Sequence, residues 1–392
     1  MSGAWREIPF AEFATLQRGA DLPVNERRSG TIPVLASNGP VGYHAIPFAM
    51  GPGVVTGRSG TIGKPTFIAG PYWPLNTVLW VSDFHGNDPR FVFYFFQHFD
   101  FVAYATGTSV PTLNRNFVHG VPVNVPPKLE QEKIAAVLWK VERAIEVEEK
   151  LAAAARELRR SAMRQLFTRG LRGEPQKETE IGSLPASWEV EPIRANAKLV
   201  AGGTPSRTVK EYWEGGTIPW VKTGEVDYCV ITHTAEKITP AGRENSAAKL
   251  IPKGTVLIAM YGQGVTRGKV AILGIEATTN QACAGIIPTN GKVLPLYLYH
   301  FLSFSYDRLR SLSHGAQQQN LTGELVGSVQ VAVPAKDEQA QIVEILEAID
   351  RKISLHMRKW TRLQELFKTL LHQLMTGQIR VHHLDIDLSE IQ

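Results

Sequence analysis

Two glycine-bounded loops carry the side chains of this chain best suited to gripping an anion. Gly57-Arg-Ser-Gly-Thr-Ile-Gly-Lys-Pro65 has the outline of a phosphate-binding loop, but its glycine spacing is off by one. Pro65 also stands where Ser or Thr would have to bind magnesium. Tyr261-Gly-Gln-Gly-Val-Thr-Arg-Gly-Lys269 fails in the same way, running on into Val270. Nucleotide binding is therefore not expected. What remains is a glycine hairpin that offers Arg58, Ser59 and Lys64, or Gln263, Arg267 and Lys269, to a nucleic-acid backbone or base edge. The plainer alternative is a turn with solvated charges.

A second pair of loops is dense in hydroxyls and amides. Thr106-Gly-Thr-Ser-Val-Pro-Thr-Leu-Asn-Arg-Asn116 holds Thr108, Ser109, Asn114 and Arg115. Ser313-His-Gly-Ala-Gln-Gln-Gln-Asn-Leu-Thr322 holds Gln317, Gln318, Gln319 and Asn320. They align through Gly107 with Gly315 and Leu113 with Leu321. Asn and Gln can pair bidentately with adenine and Arg or Lys with guanine, while Ser and Thr serve either. The same residues could instead cap the next strand or turn. Asn38 and Lys222 complete the set of candidate DNA contacts. Hydroxyls in one loop and glutamines in the other are what two readers of different sequences would show.

Signs of covalent chemistry are missing. There is no HExxH pair, no Gly-x-Ser-x-Gly elbow and no Asn-Pro-Pro-aromatic tetrad of the kind amino-methyltransferases use. The two cysteines, Cys229 and Cys283, have no partner at metal-ligand spacing, which fits reducing cytoplasm. His382 and His383 read as tail residues, so neither a metal site nor a catalytic residue is expected. A net charge of +5 is spread along the chain and says little about nucleic acid. No run of eighteen apolar residues appears, and no charged-then-apolar start, so neither a membrane span nor a signal peptide is expected.

The elements that must position these loops occur twice, about 208 residues apart. Val121-Pro-Val-Asn-Val-Pro-Pro-Lys-Leu-Glu-Gln-Glu-Lys-Ile134 returns as Val329-Gln-Val-Ala-Val-Pro-Ala-Lys-Asp-Glu-Gln-Ala-Gln-Ile342. The register holds without a gap to Gln165-Leu-Phe-Thr and Gln373-Leu-Met-Thr, and Arg172 matches Arg380. A gap-free match of this length calls for a rigid element. Ile342, Leu346, Ile349, Ile353, His356, Trp360, Leu363, Phe367, Leu370 and Leu374 alternate spacings of four and three, a coiled-coil seam. Ile134, Leu138, Val141, Ile145, Glu148, Ala152, Ala155, Arg159, Ala162 and Leu166 form its counterpart. In an antiparallel pair, Ala152 and Ala155 would come opposite His356 and Ile353, and Glu148 near Trp360. Each helix would span on the order of 60 Å.

Ahead of each helix lies a larger, looser unit of short β-type runs with Gly and Pro turns. Trp5 finds Trp188, Gly30-Thr-Ile-Pro33 finds Gly216-Thr-Ile-Pro219, Gly63-Lys64 finds Gly268-Lys269, and Asn76 finds Asn280. An aromatic helix is expected at about Pro89 to Tyr104 and again at about Leu294 to Leu312. The α+β chain thus divides into a first unit (1–126), a central helix (127–172), a polar linker (173–187), a second unit (188–334), a C-terminal helix (335–380) and a tail (381–392).

This layout strongly resembles the specificity subunit of type I restriction–modification systems over nearly the whole chain. The resemblance rests on the repeated Pro-x-x-x-Glu-Gln-x-x-Ile helix start, at Pro126 with Glu130-Gln131 and at Pro334 with Glu338-Gln339. The Gln-Leu-x-Thr helix ends, Gly57-Arg-Ser-Gly-Thr-Ile-Gly63 and Gly107-Thr-Ser-Val-Pro-Thr-Leu-Asn114 support it. The second unit departs where Gly-Arg-x-Gly becomes Tyr261-Gly-Gln-Gly. The resemblance implies two globular target-recognition domains separated by two long antiparallel coiled-coil helices in a pseudo-two-fold internal repeat. It also implies recognition without catalysis: each domain reads half of a bipartite, asymmetric double-stranded DNA target, and the helices set the gap. Two methyltransferase subunits would dock on the helices and use S-adenosylmethionine for N6-adenine methylation of a flipped base. Restriction subunits using ATP and magnesium would join through the methyltransferase. The same kind of chain also serves combined restriction–methylation systems that cut on both sides of their site. A stand-alone DNA methyltransferase or nuclease and a coiled-coil scaffold that binds no DNA are the remaining alternatives.

Overall fold

A computed structural model of the chain describes residues 4–107, 111–262, 265–312 and 320–389. Contacts divide it into two compact units, residues 1–150 with 356–392, and residues 151–355. The long helices Lys128–Arg169 and Lys336–Met375 therefore each supply one part to either unit.

In the first unit a four-stranded antiparallel sheet runs Thr15–Arg18, Val78–Asp83, Gly53–Gly57, Thr66–Ile68. A three-stranded sheet places Ile32–Ala36 between Gly39–His44 and the parallel Trp73–Pro74. Arg6–Pro9 pairs with Pro122–Val125 and so closes the unit where the long helix begins. The helix Pro89–His98 covers the sheet; proline opens it and the Asp88 carboxylate accepts from Phe91 N at 2.8 Å, the N-cap its sequence calls for. Five of its ten residues are buried, packed with Phe10, Phe13 and Phe101 in an aromatic core. The expected longer helix stops at His98, because Asp100 accepts from Val102 N and Ala103 N and starts a separate 3-10 turn at Phe101–Tyr104.

The second unit repeats the plan. Its main sheet runs Ala197–Ala201, Cys283–Pro288, Val256–Ala259, Val270–Leu273, with Val230–Ile231 added at the edge. Ile218–Val221 again lies between an antiparallel strand, Glu236–Ile238, and a parallel one, Thr278–Thr279. Glu189–Pro192 pairs with Gln330–Val333 as the closing ribbon. The aromatic helix is again shorter than expected: Pro295–Phe304, then a separate helix Tyr306–Ser311. Part of the expected linker is structured, since Gln176–Thr179 and Gly182–Pro185 form a hairpin. The tail also packs: Val381 is buried, and Lys133 Nζ donates to the carbonyls of His382 at 2.9 Å and Leu384 at 2.6 Å.

The heptad reading holds in both helices. Ile134, Leu138, Leu166, Ile342, Leu346, Ile349 and Leu374 are buried, while Val141, Ile145, Ile353, Trp360, Leu363 and Phe367 are half-buried. Within each unit the two helix segments run antiparallel. Glu130 meets Arg380 and Glu148 meets His356 in the first; Arg159 meets Asp350 and Arg172 meets Asp337 in the second. Glu148, expected near Trp360, takes His356 as its hydrogen-bond partner one turn earlier, with Lys359 at 3.6 Å.

The repeated Glu-Gln pair is the joint between each long helix and its β-rich unit. Gln131 Oε1 accepts from Asp88 N at 2.9 Å, and its amide donates to Pro126 O and Asn87 Oδ1. Gln339 does the same, accepting from Leu294 N at 2.9 Å and donating to Pro334 O and Lys292 O. Glu130 accepts from the Trp5 indole and from Arg380; Glu338 accepts from the Trp188 indole and Leu171 N. All four side chains are at most 2% exposed, and buried polar groups of this kind persist only when bonded. The matched tryptophans Trp5 and Trp188 thus do equivalent work. Among the described residues, no helix is long and apolar enough to cross a membrane.

Candidate nucleic-acid interface

In the first unit the two loops singled out from sequence come together. The segment 58–65 connects the antiparallel strands Gly53–Gly57 and Thr66–Ile68. A Cβ on Gly57 would lie 1.7 Å from Thr61 O, so only glycine lets the chain turn there. Leu113 N donates to Arg58 O at 2.7 Å, Gly60 N to Pro111 O at 3.2 Å, and Ser59 bridges Thr112. Leu113 is fully buried and anchors the second loop. The turn after Ile32–Ala36 reaches the same place, with Ser37 Oγ 3.5 Å from where a Gly60 Cβ would be. The exposed Asn38 sits at that tip.

These pieces border an open cleft of about 580 Å³ lined by Arg18, Arg58 and Arg115 together with Gln17, Asn114 and Phe117. Among its described lining residues there is no carboxylate. Arg58 Nη1 donates to Asn76 O at 3.4 Å and Arg115 Nη1 to Leu16 O at 3.3 Å, which aims both guanidinia without neutralising them. Phe117, 52% exposed, supplies an aromatic wall. Such a cleft can hold a phosphate or the O6/N7 edge of guanine, and an exposed ring can stack on a base. Arg18, Gln17 and Phe117 escaped the sequence reading. Arg18 ends a strand and enters the cleft only through its pairing with Leu79. Asn114 caps the helix Arg115–His119, accepting from Asn116 N at 3.1 Å, so the capping alternative applies to it. Lys64 is exposed. Thr108 and Ser109 lie outside the described residues, as do Gln263, Gln317, Gln318 and Gln319.

The second unit has different chemistry at the equivalent places. Leu321 N donates to Met260 O at 2.9 Å and Met260 N to Ala282 O at 2.8 Å, the same bonds that Arg58 makes with Leu113 and Thr77. Met260, 5% exposed, therefore occupies the place of Arg58, and the loop that follows is three residues longer before Gly268. The same register sets Gln281, rather than Asn280, against Asn76. Arg18, which pairs with Leu79, corresponds to Ala201, which pairs with Ala284, and Arg115 to Gly323. None of the three cleft arginines has a basic counterpart.

Amides and hydroxyls pair on neighbouring segments. Thr204 donates to the Gln281 side chain and Thr223 to Asn280 Oδ1 at 3.0 Å, four residues the sequence reading did not select. Two candidate cations are engaged in ion pairs: Lys222 with Glu236 at 2.8 Å and Lys269 with Asp227 at 2.6 Å. Lys222, then Arg207, holds the Glu236 carboxyl below its ordinary range, and Arg207 lies 3.6 Å from the Trp213 ring. Lys222 and Lys269 thus already serve structural bonds. Arg267 is half-buried and Asn320 exposed. Burial pushes the Cys283 thiol up to about 12, which suits a core residue and not a nucleophile.

The chain is similar to known proteins over most of its length. The chain is 33% identical over 179 residues to the MjaIX type I restriction enzyme specificity subunit of Methanocaldococcus jannaschii, an alignment covering 44% of this chain and 40% of that one. It is 24% identical over 327 residues to the MjaX subunit, described as putative, of the same organism, covering 81% and 74%. The fold matches the crystal structure of the type I restriction–modification S subunit from M. genitalium with a TM-score of 0.66 at 16% identity, over 95% of this chain and 96% of that one. The model of the type I restriction modification DNA specificity domain matches twice, at residues 4–156 and 185–365, and the chain belongs to that family.

Proposed function

We propose that this chain is the sequence-reading subunit of a type I restriction–modification enzyme and that its two units read unlike halves of one split DNA target. The observation that carries this reading is the cleft of the first unit. Two loops some fifty residues apart in sequence, Arg58–Ser59 and Thr112–Arg115, are bonded together there around three arginines and an exposed phenylalanine. The second unit holds Ala201, Met260 and Gly323 at those places. Two readers on one plan with different side chains imply an unsymmetrical target. Arginine favours guanine and amides favour adenine, so the first half-site is expected to be the one that contains guanine under the cleft.

The long helices act as the spacer between half-sites and as the seat for two methyltransferase subunits. Those partners bring S-adenosylmethionine and methylate adenine at N6; restriction subunits bring ATP and magnesium. This chain contributes recognition and spacing only, and works in the cytoplasm.

The deciding experiment is to express the chain with its companion methyltransferase in a host lacking adenine methylation and to sequence the DNA for N6-methyladenine. A split, unsymmetrical motif modified on both strands is expected. No new methylation, with both proteins soluble and associated, would sink the proposal.

A further inference from the structure

His300 is the least explained side chain in the second unit. It is fully buried on the aromatic helix Pro295–Phe304, and neither ring nitrogen has a hydrogen-bond partner. Leaving a buried polar atom unsatisfied is costly, so such a group calls for an ordered water or ion. Nε2 faces Glu347 Oε1 at 3.4 Å, and Asp350 lies one turn further along the same long helix. One donor atom from each of the three residues falls within 4.8 Å of the others.

The geometry points to a divalent transition-metal site of the zinc class held by His300, Glu347 and Asp350, joining the second recognition unit to the long helix. Several features favour it over a plain ion pair. The fully buried His300 ring has no hydrogen-bond partner on either nitrogen, so a lone pair is open to an ion. With metal–ligand bonds of about 2.0–2.2 Å, two donors of a tetrahedral site stand roughly 3.4 Å apart, which the His300–Glu347 pair already matches. Asp350 Oδ1 accepts from Arg159 Nε at 2.6 Å, leaving its second oxygen for an ion, in the manner of a ligand oriented by an outer hydrogen bond. Two carboxylates against one guanidinium leave net negative charge for a dication. Glu347 is 37% exposed, which gives the ion a way in from solvent. A nitrogen donor selects zinc, cobalt or nickel over magnesium or calcium. The site is independent of the DNA-reading proposal.

The test uses the full-length chain, stripped of metal and dialysed against micromolar zinc chloride. About one zinc per chain is expected by elemental analysis, with a rise in Tm, and cobalt(II) in its place should give visible d–d absorption. Glu347→Gln should weaken zinc binding at least tenfold and abolish the Tm rise. His300→Leu should do the same; if it folds poorly, Glu347→Gln at the half-exposed position decides. The pair His382→Ala/His383→Ala should keep the zinc. No zinc bound by the parent chain, or equal zinc bound by Glu347→Gln, overturns the assignment.

Discussion

Glu148 Oε2 and His356 Nδ1 lie 2.6 Å apart, and the two residues are 208 positions apart, which is the offset of the internal repeat. Each residue therefore bonds to its own copy. In an antiparallel pair of equivalent helices, the layer where copy meets copy would place identical side chains against each other. Two carboxylates there would repel across a half-buried seam; a carboxylate and an imidazole do not. Lys359 adds a second cation to the same carboxylate. Divergence of the two copies at this layer is thus a condition of their pairing.

His356→Glu, which restores the identical pair, is accordingly expected to lower Tm more than the neutral His356→Gln, with the gap shrinking at high salt. The acid side offers an independent check. The hydrogen bond from His356, then Lys359, holds the Glu148 carboxyl below its ordinary value. A depressed carboxyl contributes stability that is present at neutral pH and lost as pH falls through its folded value. The Tm difference between the parent chain and Glu148→Gln should therefore narrow as pH falls below the ordinary carboxylate range. A difference that persists unchanged at pH 3 would contradict the charge argument.

Glu130 offers a harsher case. Burial raises its carboxyl, but Arg380, whose nitrogens sit 2.7 Å from both oxygens, and the Trp5 indole outweigh this and leave the value lowered. The carboxylate is 2% exposed and Arg380 is 32% exposed. Glu130→Gln removes one partner of a largely buried pair and should cost about 2–4 kcal/mol, toward the lower end because Arg380 can turn to water. Chemical denaturation at pH 7 measures it. The loss should diminish on acidification, by the same sign argument as for Glu148. A cost below about 0.5 kcal/mol would mean the joint is not held by this pair.

What the sequence revealed and what it hid follow from the range of the interactions. The seam was readable because heptad spacing is a local pattern, and Trp360 and Phe367 do lie on it. The Glu-Gln repeat was visible as a motif, but its purpose was not, since Glu130 finds Arg380 some 250 residues away. Arg58 and Arg115 stood out because glycines and amides mark their loops. Arg18 carries no such mark; only strand pairing brings it beside them. Met260 was missed as the counterpart of Arg58 because the second loop is longer and the glycine patterns align one another falsely. Gln176–Thr179 looked like a linker because a two-stranded ribbon held mainly by backbone bonds needs no apolar alternation.

The arginine cleft makes a prediction about DNA that separates two roles. Arg18→Ala, Arg58→Ala and Arg115→Ala should leave Tm nearly unchanged, since none is in a buried ion pair. Each should weaken binding of target duplex by the assembled enzyme. Where the arginine meets a phosphate, its removal lowers the slope of log affinity against log salt by about 0.9 and affects all sequences alike. Where it meets a guanine edge, its removal costs about 1–3 kcal/mol and relaxes one position of the first half-site. Alanines at Gln317, Gln318, Gln319 and Asn320 should relax the second half-site only. Equal weakening at both half-sites from either set would point to misfolding or to general backbone contacts instead.

The spacer role can be tested by length. Seven residues added to each long helix at equivalent seam positions keep every apolar residue on the seam, because the insertion is one heptad. They lengthen each helix by about 10 Å at 1.5 Å per residue. DNA rises 3.4 Å per base pair, so the gap between half-sites should grow by about three base pairs while the bases read at either end stay the same. Two residues added instead would rotate the rest of each helix by about 200° and turn Leu346 or Leu363 toward water, so that variant should unfold early or fail to assemble. Methylation sequencing reads both outcomes. An unchanged gap in the heptad variant, with methylation retained, would remove the helices as the ruler and leave the spacing to the recognition units themselves.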